Sequence, residues 1–188
     1  MHYLGRNEDR LRGTYEFPFE FHHIDSSHPR YVMSYHWHVE CEIMRVLQGT
    51  LTVTLDEKSF TAKAGDVIFV NSGVLHSGIP QDCIYQCIVF DMNMFLKFNS
   101  VCTEYMQKIS HQELLIYHHF TEKQPDIQRA VNSLFDSFWQ RKPGYELVVF
   151  GQFYHFFGLV FGNHYYLESL RKTRRDYKRI VQLKQVVE

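Results

Sequence analysis

Residues 35–53 read YHWHVECEIMRVLQGTLTV, and residues 64–78 read AGDVIFVNSGVLHSG. The first opens on His36-Trp37-His38, reaches Glu42 after three further residues and Gly49 after six more. The second runs from Gly65-Asp66 to His76. Three histidines and a carboxylate within about forty residues have the composition of a metal first shell, because imidazole and carboxylate both suit first-row divalent ions.

Strand periodicity strengthens that reading. If residues 31–47 are extended, side chains alternate between two faces. His36, His38, Glu40, Glu42, Met44 and Val46 then share one face, and Trp37, Val39, Cys41, Ile43, Arg45 and Leu47 share the other. Gly49 is expected to turn a hairpin into a second alternating run, with Leu51, Val53 and Leu55 on one face. Gly65-Asp66 predicts another turn, Val67 to Val70 a short strand, and Asn71-Ser72-Gly73 a turn that returns His76 to the first cluster.

These residues resemble the two cupin motifs. His-x-His, three residues, Glu, six residues, Gly is matched from His36 to Gly49, and the second motif is matched from Gly65 to His76. Arg30 stands where a Gly is common, Asn71 where Pro is common, and Pro80 where Asn often closes the second motif. Over roughly residues 14–188 the chain is similar to the amino-terminal effector-binding domain of AraC/XylS-type transcription regulators. That resemblance implies a mainly β fold, a cupin-like jelly-roll barrel, followed by an antiparallel helical pair. It implies a barrel with an amino-terminal arm over 1–92, a helical dimerisation region over 93–167, and a basic linker over 168–188. The linker would lead to a helix-turn-helix domain outside this chain, so the chain is expected to be a piece of a longer bacterial regulator. An arm such as residues 1–12 can close over the ligand in that family.

Composition agrees with a folded domain of this size. Of 188 residues, 45% are hydrophobic, which argues against disorder. A formal net charge of -1 offers no global attraction to nucleic acid or anionic membrane. The start is polar and no apolar run reaches spanning length, so a cytoplasmic protein is expected. Cys41, Cys83, Cys87 and Cys102 lack Cys-x-x-Cys spacing and read as free thiols.

Outside the motif region, Tyr15 to Phe21 alternates as an edge strand would. Gln124-Pro125-Asp126 can start a helix whose apolar stripe is Ile127, Ala130, Val131, Leu134, Phe135 and Phe138. Arg141 to Gly144 ends it, and a second helix is expected from Tyr145 to about Asn163. Leu147, Phe150, Tyr154, Phe157 and Phe161 line one face of it and are the expected homodimer contacts.

His36, His38, Glu42 and His76 would hold a divalent metal (Zn, Ni, Fe or Mn), or form a hydrogen-bonded floor for an organic ligand. Ligand contacts are expected from the same four residues with Met44 and Tyr85. Between Cys83 and Phe90 either Tyr85 and Cys87 or Gln86 and Ile88 face the pocket, and Tyr85 is preferred because aromatic faces stack on sugar rings. Glu40 reads as a solvated carboxylate. His22, His23, His118, His119, His155 and His164 read as surface or satisfied core histidines. The function expected is sensing of a small polar effector, such as a sugar, by a regulator that reaches DNA through its missing domain, with no catalysis and no membrane partner. The alternative is a metal-dependent cupin enzyme, an oxygenase or isomerase.

Overall fold

Residues 31–47 do not form one strand. In the computed structural model, which describes residues 7–8, 10–97 and 101–169, the chain breaks after β2 (Met33–His36) and resumes in β3 (Cys41–Leu55). β3 passes through Gly49 without reversing. Gly49 (φ 66°) sits at a β-bulge, where the register against β6 (His76–Phe90) shifts on either side of Gln48. A Cβ there would lie 2.2 Å from the Asp82 carbonyl oxygen, so only glycine lets the two strands pass this closely. The expected hairpin lies further on, where Leu55 pairs Lys58 across Asp56-Glu57 and starts β4 (Lys58–Lys63).

A bulged long strand bends, and β3 and β6 pair over nearly their whole 15-residue lengths. They carry the remaining strands. β1 (Phe19–Ile24) and β2 pair with β6, β4 and β5 (Val67–Val70) pair with β3, and β8 (His119–Phe120) pairs with β5. The result is a jelly-roll barrel of seven strands. The edge-strand signal in Tyr15 to Phe21 is displaced, since pairing starts at Phe19.

Both faces of β3 are buried from Cys41 to Val46. Met44, Val46, Leu51 and Val53 join Ile68, Val70, Tyr85 and Cys87 in the barrel interior. Cys41 and Ile43 instead join Phe69, Ile88 and Phe90 in a second core shared with the helices. Those helices follow a 3-10 turn at Met92–Leu96 and α1 (Thr103–Ser110). α2 (Pro125–Gln140) has Pro at its first turn and buries all six residues of its apolar stripe. α3 (Tyr145–Gly162) returns beside it after Arg141 and Gly144, both at positive φ. A two-strand ribbon, β7 (Leu114–Ile116) with β9 (Tyr166–Glu168), completes the helical side.

Arg45 ties the two layers together. Its guanidinium donates to Gln86 Oε1 (2.9 Å), Asn132 Oδ1 (3.1 Å) and Asp136 Oδ1 (2.8 Å) on α2. None of the four cysteines forms a disulfide, as expected. No helix among the described residues is long and apolar enough to cross a membrane. The basic run from Arg171 to Lys184 lies outside the described residues.

Candidate metal centre and ligand cavity

His36 ends β2 and sits directly across from His76, the first residue of β6. His38 occupies the link between β2 and β3. The turn at residues 71–73 holds that link in place: Gly73 N–H donates to His38 O (2.9 Å) and Ser72 Oγ to Val39 O (2.6 Å). Asn71, in the usual Pro position, is buried and exchanges two hydrogen bonds with the Ile116 backbone, so this turn is anchored to β7. Glu42 lies one residue into β3. Ligand atoms of His36, His38, Glu42 and His76 fall within 4.8 Å of one another.

Each imidazole is oriented by a backbone carbonyl. His36 Nδ1 lies 2.8 Å from Ser34 O, His38 Nδ1 3.0 Å from Glu40 O, and His76 Nδ1 2.8 Å from Val74 O. A carbonyl oxygen only accepts, so each Nδ1 carries the hydrogen and each neutral ring offers an Nε2 lone pair. Yet His76 Nε2 is 3.2 Å and His38 Nε2 3.4 Å from Glu42 Oε2, another acceptor. Both Nε2 atoms are buried without a hydrogen-bond partner. Three lone pairs and a carboxylate facing one point are short of a positive charge. A divalent cation supplies it, and so does a proton; the residues fit the metal.

The acid-base properties follow from that deficit. Burial pushes the Glu42 carboxyl up, but His38 and His76 outweigh it and hold the group well below its ordinary value. Burial pulls His76 down, and contact with Glu42 reverses this, leaving His76 raised. His36 is lowered, by burial first and by His76 second. Without metal, the proton therefore belongs to the His76–Glu42 pair rather than to His36.

A cavity of about 370 Å³ opens beside the cluster. His36 and Glu42 line it, with Tyr85, Cys87 and Val89 from β6, so the odd-numbered residues of β6 face inward. Burial holds the Cys87 thiol well above its ordinary value, so Cys87 stays protonated. Tyr85 donates its hydroxyl to Tyr31 O (3.1 Å).

Several expectations need correction. Met44 is fully buried in the barrel core and does not line the cavity, because it sits deeper along β3 than Glu42. Glu40 is not a solvated carboxylate: its side chain is 14% exposed and its Oε2 lies 3.7 Å from His38 Nδ1. Phe157 faces the shared core at 0% exposure and cannot meet a second subunit there. Phe150, Tyr154 and Phe161 pack partly against the same core, and only Leu147 of the five stands out, at 80% exposure. The buried face of α3 is instead Val149, Phe153, Phe156, Phe157 and Val160. His22 is no bland histidine, since it lines the cavity opposite Cys87 in the β1–β6 register.

The sequence also did not point to the other wall. Glu8, Arg10, Arg12 and Arg30 reach the cavity from the amino-terminal arm and the loop before β2. Asn7 bridges to Trp37, and Glu8 N–H donates to Trp37 O (2.9 Å). No spacing in the sequence signals this, because the contacts span the whole barrel mouth.

The profile of the AraC-like ligand binding domain matches residues 18–156. A stretch of 56 residues is 34% identical to the uncharacterized HTH-type transcriptional regulator YdeC of Bacillus subtilis, spanning 28% of this chain and 19% of that protein. A solved structure concerned with the Mn(II) centres of Bacillus subtilis oxalate decarboxylase is 25% identical over 32% of this chain and 18% of its own, at TM-score 0.29. A protein of unknown function from Streptococcus pyogenes, SPY1581, is 15% identical over 39% and 62% of the two chains, at TM-score 0.34. The matched parts thus span only about a fifth of the curated relative and of the decarboxylase. With its profile running from the foot of β1 into α3, the chain belongs to the family of AraC-like ligand binding domains.

Proposed function

We propose that this domain is the metal-assisted effector sensor of an AraC-like transcription regulator. The observation that carries the metal part is that His38 Nε2 and His76 Nε2 meet Glu42 Oε2 at 3.4 and 3.2 Å, each imidazole having its Nδ1 on a carbonyl, with a ligand atom of His36 in the same 4.8 Å cluster. His36, His38, Glu42 and His76 would hold a divalent ion (Zn, Ni, Fe or Mn), whose open positions would accept oxygen atoms of a ligand in the adjoining cavity. The chain's own residues orient that ligand: Tyr85 and Val89 offer an apolar wall, and the arm and His22 a polar one.

The effector is a small polar molecule, a sugar or sugar derivative. It acts by binding two arrangements of the arm and helices unequally. DNA binding belongs to a carboxy-terminal helix-turn-helix domain beyond the basic residues 168–188, and the protein works in the cytoplasm. A homodimer forms through the open face of α3, where Leu147 and Val148 stand exposed beside Gly151, Gly158 and Gly162, at each of which an added Cβ meets nothing within 4 Å. Sedimentation at tens of micromolar tests this, and a monomer there refutes the dimer.

Elemental analysis of protein purified without nickel resin tests the metal: occupancy below about 0.1 ion per chain would sink it. The same 3-His-Glu geometry favours one competing reading, a metal-dependent oxygenase or isomerase. Dioxygen uptake or turnover by metal-loaded protein would select it.

A further inference from the structure

The cavity holds a carboxylate of the chain's own. Glu8 Oε1 lies 2.6 Å from Arg30 Nη1, and Glu8 Oε2 lies 2.9 Å from Arg12 Nη2 and 3.9 Å from His36 Nε2. Arg12 is a buried cation. Its side chain is 2% exposed, its other Nη binds Glu20 Oε2 at 2.7 Å, and its Nε–H has no partner. Arg10 completes the rim, 3.0 Å from Glu20 Oε1 and 3.6 Å from Glu8 Oε1.

We propose that Arg12 and Arg30 form an anion subsite which Glu8 fills in the absence of effector, and that the effector is a small carboxylic acid, sugar acids included, whose carboxylate takes Glu8's place. This rests on the cavity being the effector site, and it narrows the effector's chemistry. Two observations carry it. With Glu8 gone, buried Arg12 keeps Glu20 but has one Nη without a carboxylate, and an entering anion restores that partner where a neutral molecule does not. Glu8 in turn is the exchangeable partner: residues 7–8 meet the barrel through the Asn7–Trp37 bridge, the Glu8 N–H to Trp37 O bond and the Glu8–Arg30 ion pair, whereas Arg12 stays fixed to Glu20 of β1. An acid entering here displaces Glu8 and frees residues 7–8 from Trp37, while Arg10 and Arg12 stay paired to Glu20.

Acetate carries the Glu8 functional group and acetamide is its neutral counterpart, so the two are the probes. Their binding to the full chain is measured by ligand-observed NMR in wild type, Glu8→Ala, and Glu8→Ala with Arg30→Gln. The series is run on protein as purified and again after EDTA dialysis. Glu8→Ala should bind acetate at least ~10-fold more tightly than wild type, should ignore acetamide, and should lose the gain when Arg30 is also changed. Equal acetate binding by wild type and Glu8→Ala overturns the subsite, as does a gain that survives Arg30→Gln. Acetate binding that disappears with EDTA places the anion on a metal and overturns it too. A second comparison sets D-galacturonate against D-galactose on wild type. Binding of the neutral sugar alone would leave the effector cavity standing and remove the acid reading.

Discussion

Glu42→Gln should invert the pH dependence of stability in metal-free protein. At pH 6 wild type holds a proton between His76 and Glu42, with Nε2 and Oε2 3.2 Å apart and the two side chains 0% and 4% exposed. At an effective dielectric of about 20 the gross attraction at that distance is about 5 kcal/mol. Desolvation of both groups offsets most of it, leaving the ~1.5–3 kcal/mol net of a charge-assisted hydrogen bond. The signs define the window. His76 is raised, so its contribution is complete below about 6.5 and fades as pH climbs through its higher folded value. Glu42 is lowered, so its contribution is present above about 4.3 and is lost only as pH falls further. Between those limits wild type should exceed Glu42→Gln by about 1.5–3 kcal/mol in urea unfolding with EDTA. Above the raised His76 value the pair has no proton, and wild type faces lone pairs with a carboxylate. The glutamine amide can donate one N–H to His76 Nε2, so the variant should equal or exceed wild type. A variant still more than about 2 kcal/mol below wild type at a pH above the His76 titration, located by NMR in the same metal-free protein, would show that Glu42 is a structural ion-pair partner, and the lone-pair argument for a cation would fail.

Other outcomes follow from the same geometry. Zinc binding at pH 6.5 should release a proton from His76, and the release should fall away as pH rises through the raised His76 value; calorimetry in buffers of different ionisation enthalpy reads this, and zero release at pH 6.5 contradicts it. Gly49→Ala forces a positive φ and a 2.2 Å approach to Asp82 O on an L side chain, and should cost about 3 kcal/mol or more in chemical unfolding. Arg45→Ala leaves Gln86 Oε1 without its donor and removes the Asn132 and Asp136 ties to α2, at about 2–3 kcal/mol; hydrogen exchange should accelerate in α2 while β4, remote from Arg45, keeps its protection.

The parts of this protein that the sequence reveals are those whose signals are local. Leu51, Val53 and Leu55 alternate because only one of their faces is apolar, and Val67 to Val70 is framed by its two turns. The α2 stripe and its Pro start are likewise legible within one element. Residues 41–46 gave no clean alternation, because the barrel interior buries one face and the helices bury the other. Gly49 reads as a hairpin in sequence, since a bulge and a turn both demand positive φ there; what separates them is the nearness of Asp82 on another strand. The stripe Leu147 to Phe161 misled for a related reason. α3 is apolar on nearly every side, so periodicity could not say which side meets the barrel.

Taken alone, the sequence carried the barrel and the helical pair through its resemblance to cupins and AraC-like domains, and the spacing of the two motifs carried the expectation that His36, His38, Glu42 and His76 converge. Tertiary structure decided how they converge: across β2, the link, β3 and β6 rather than along one strand. It alone decided the tautomers, which depend on carbonyls at Ser34, Glu40 and Val74, and the inward register of β6. It alone also placed Glu8 between Arg12 and Arg30. That charge pattern joins an arm, a loop and β1, and such long-range juxtaposition leaves no periodic trace in the chain.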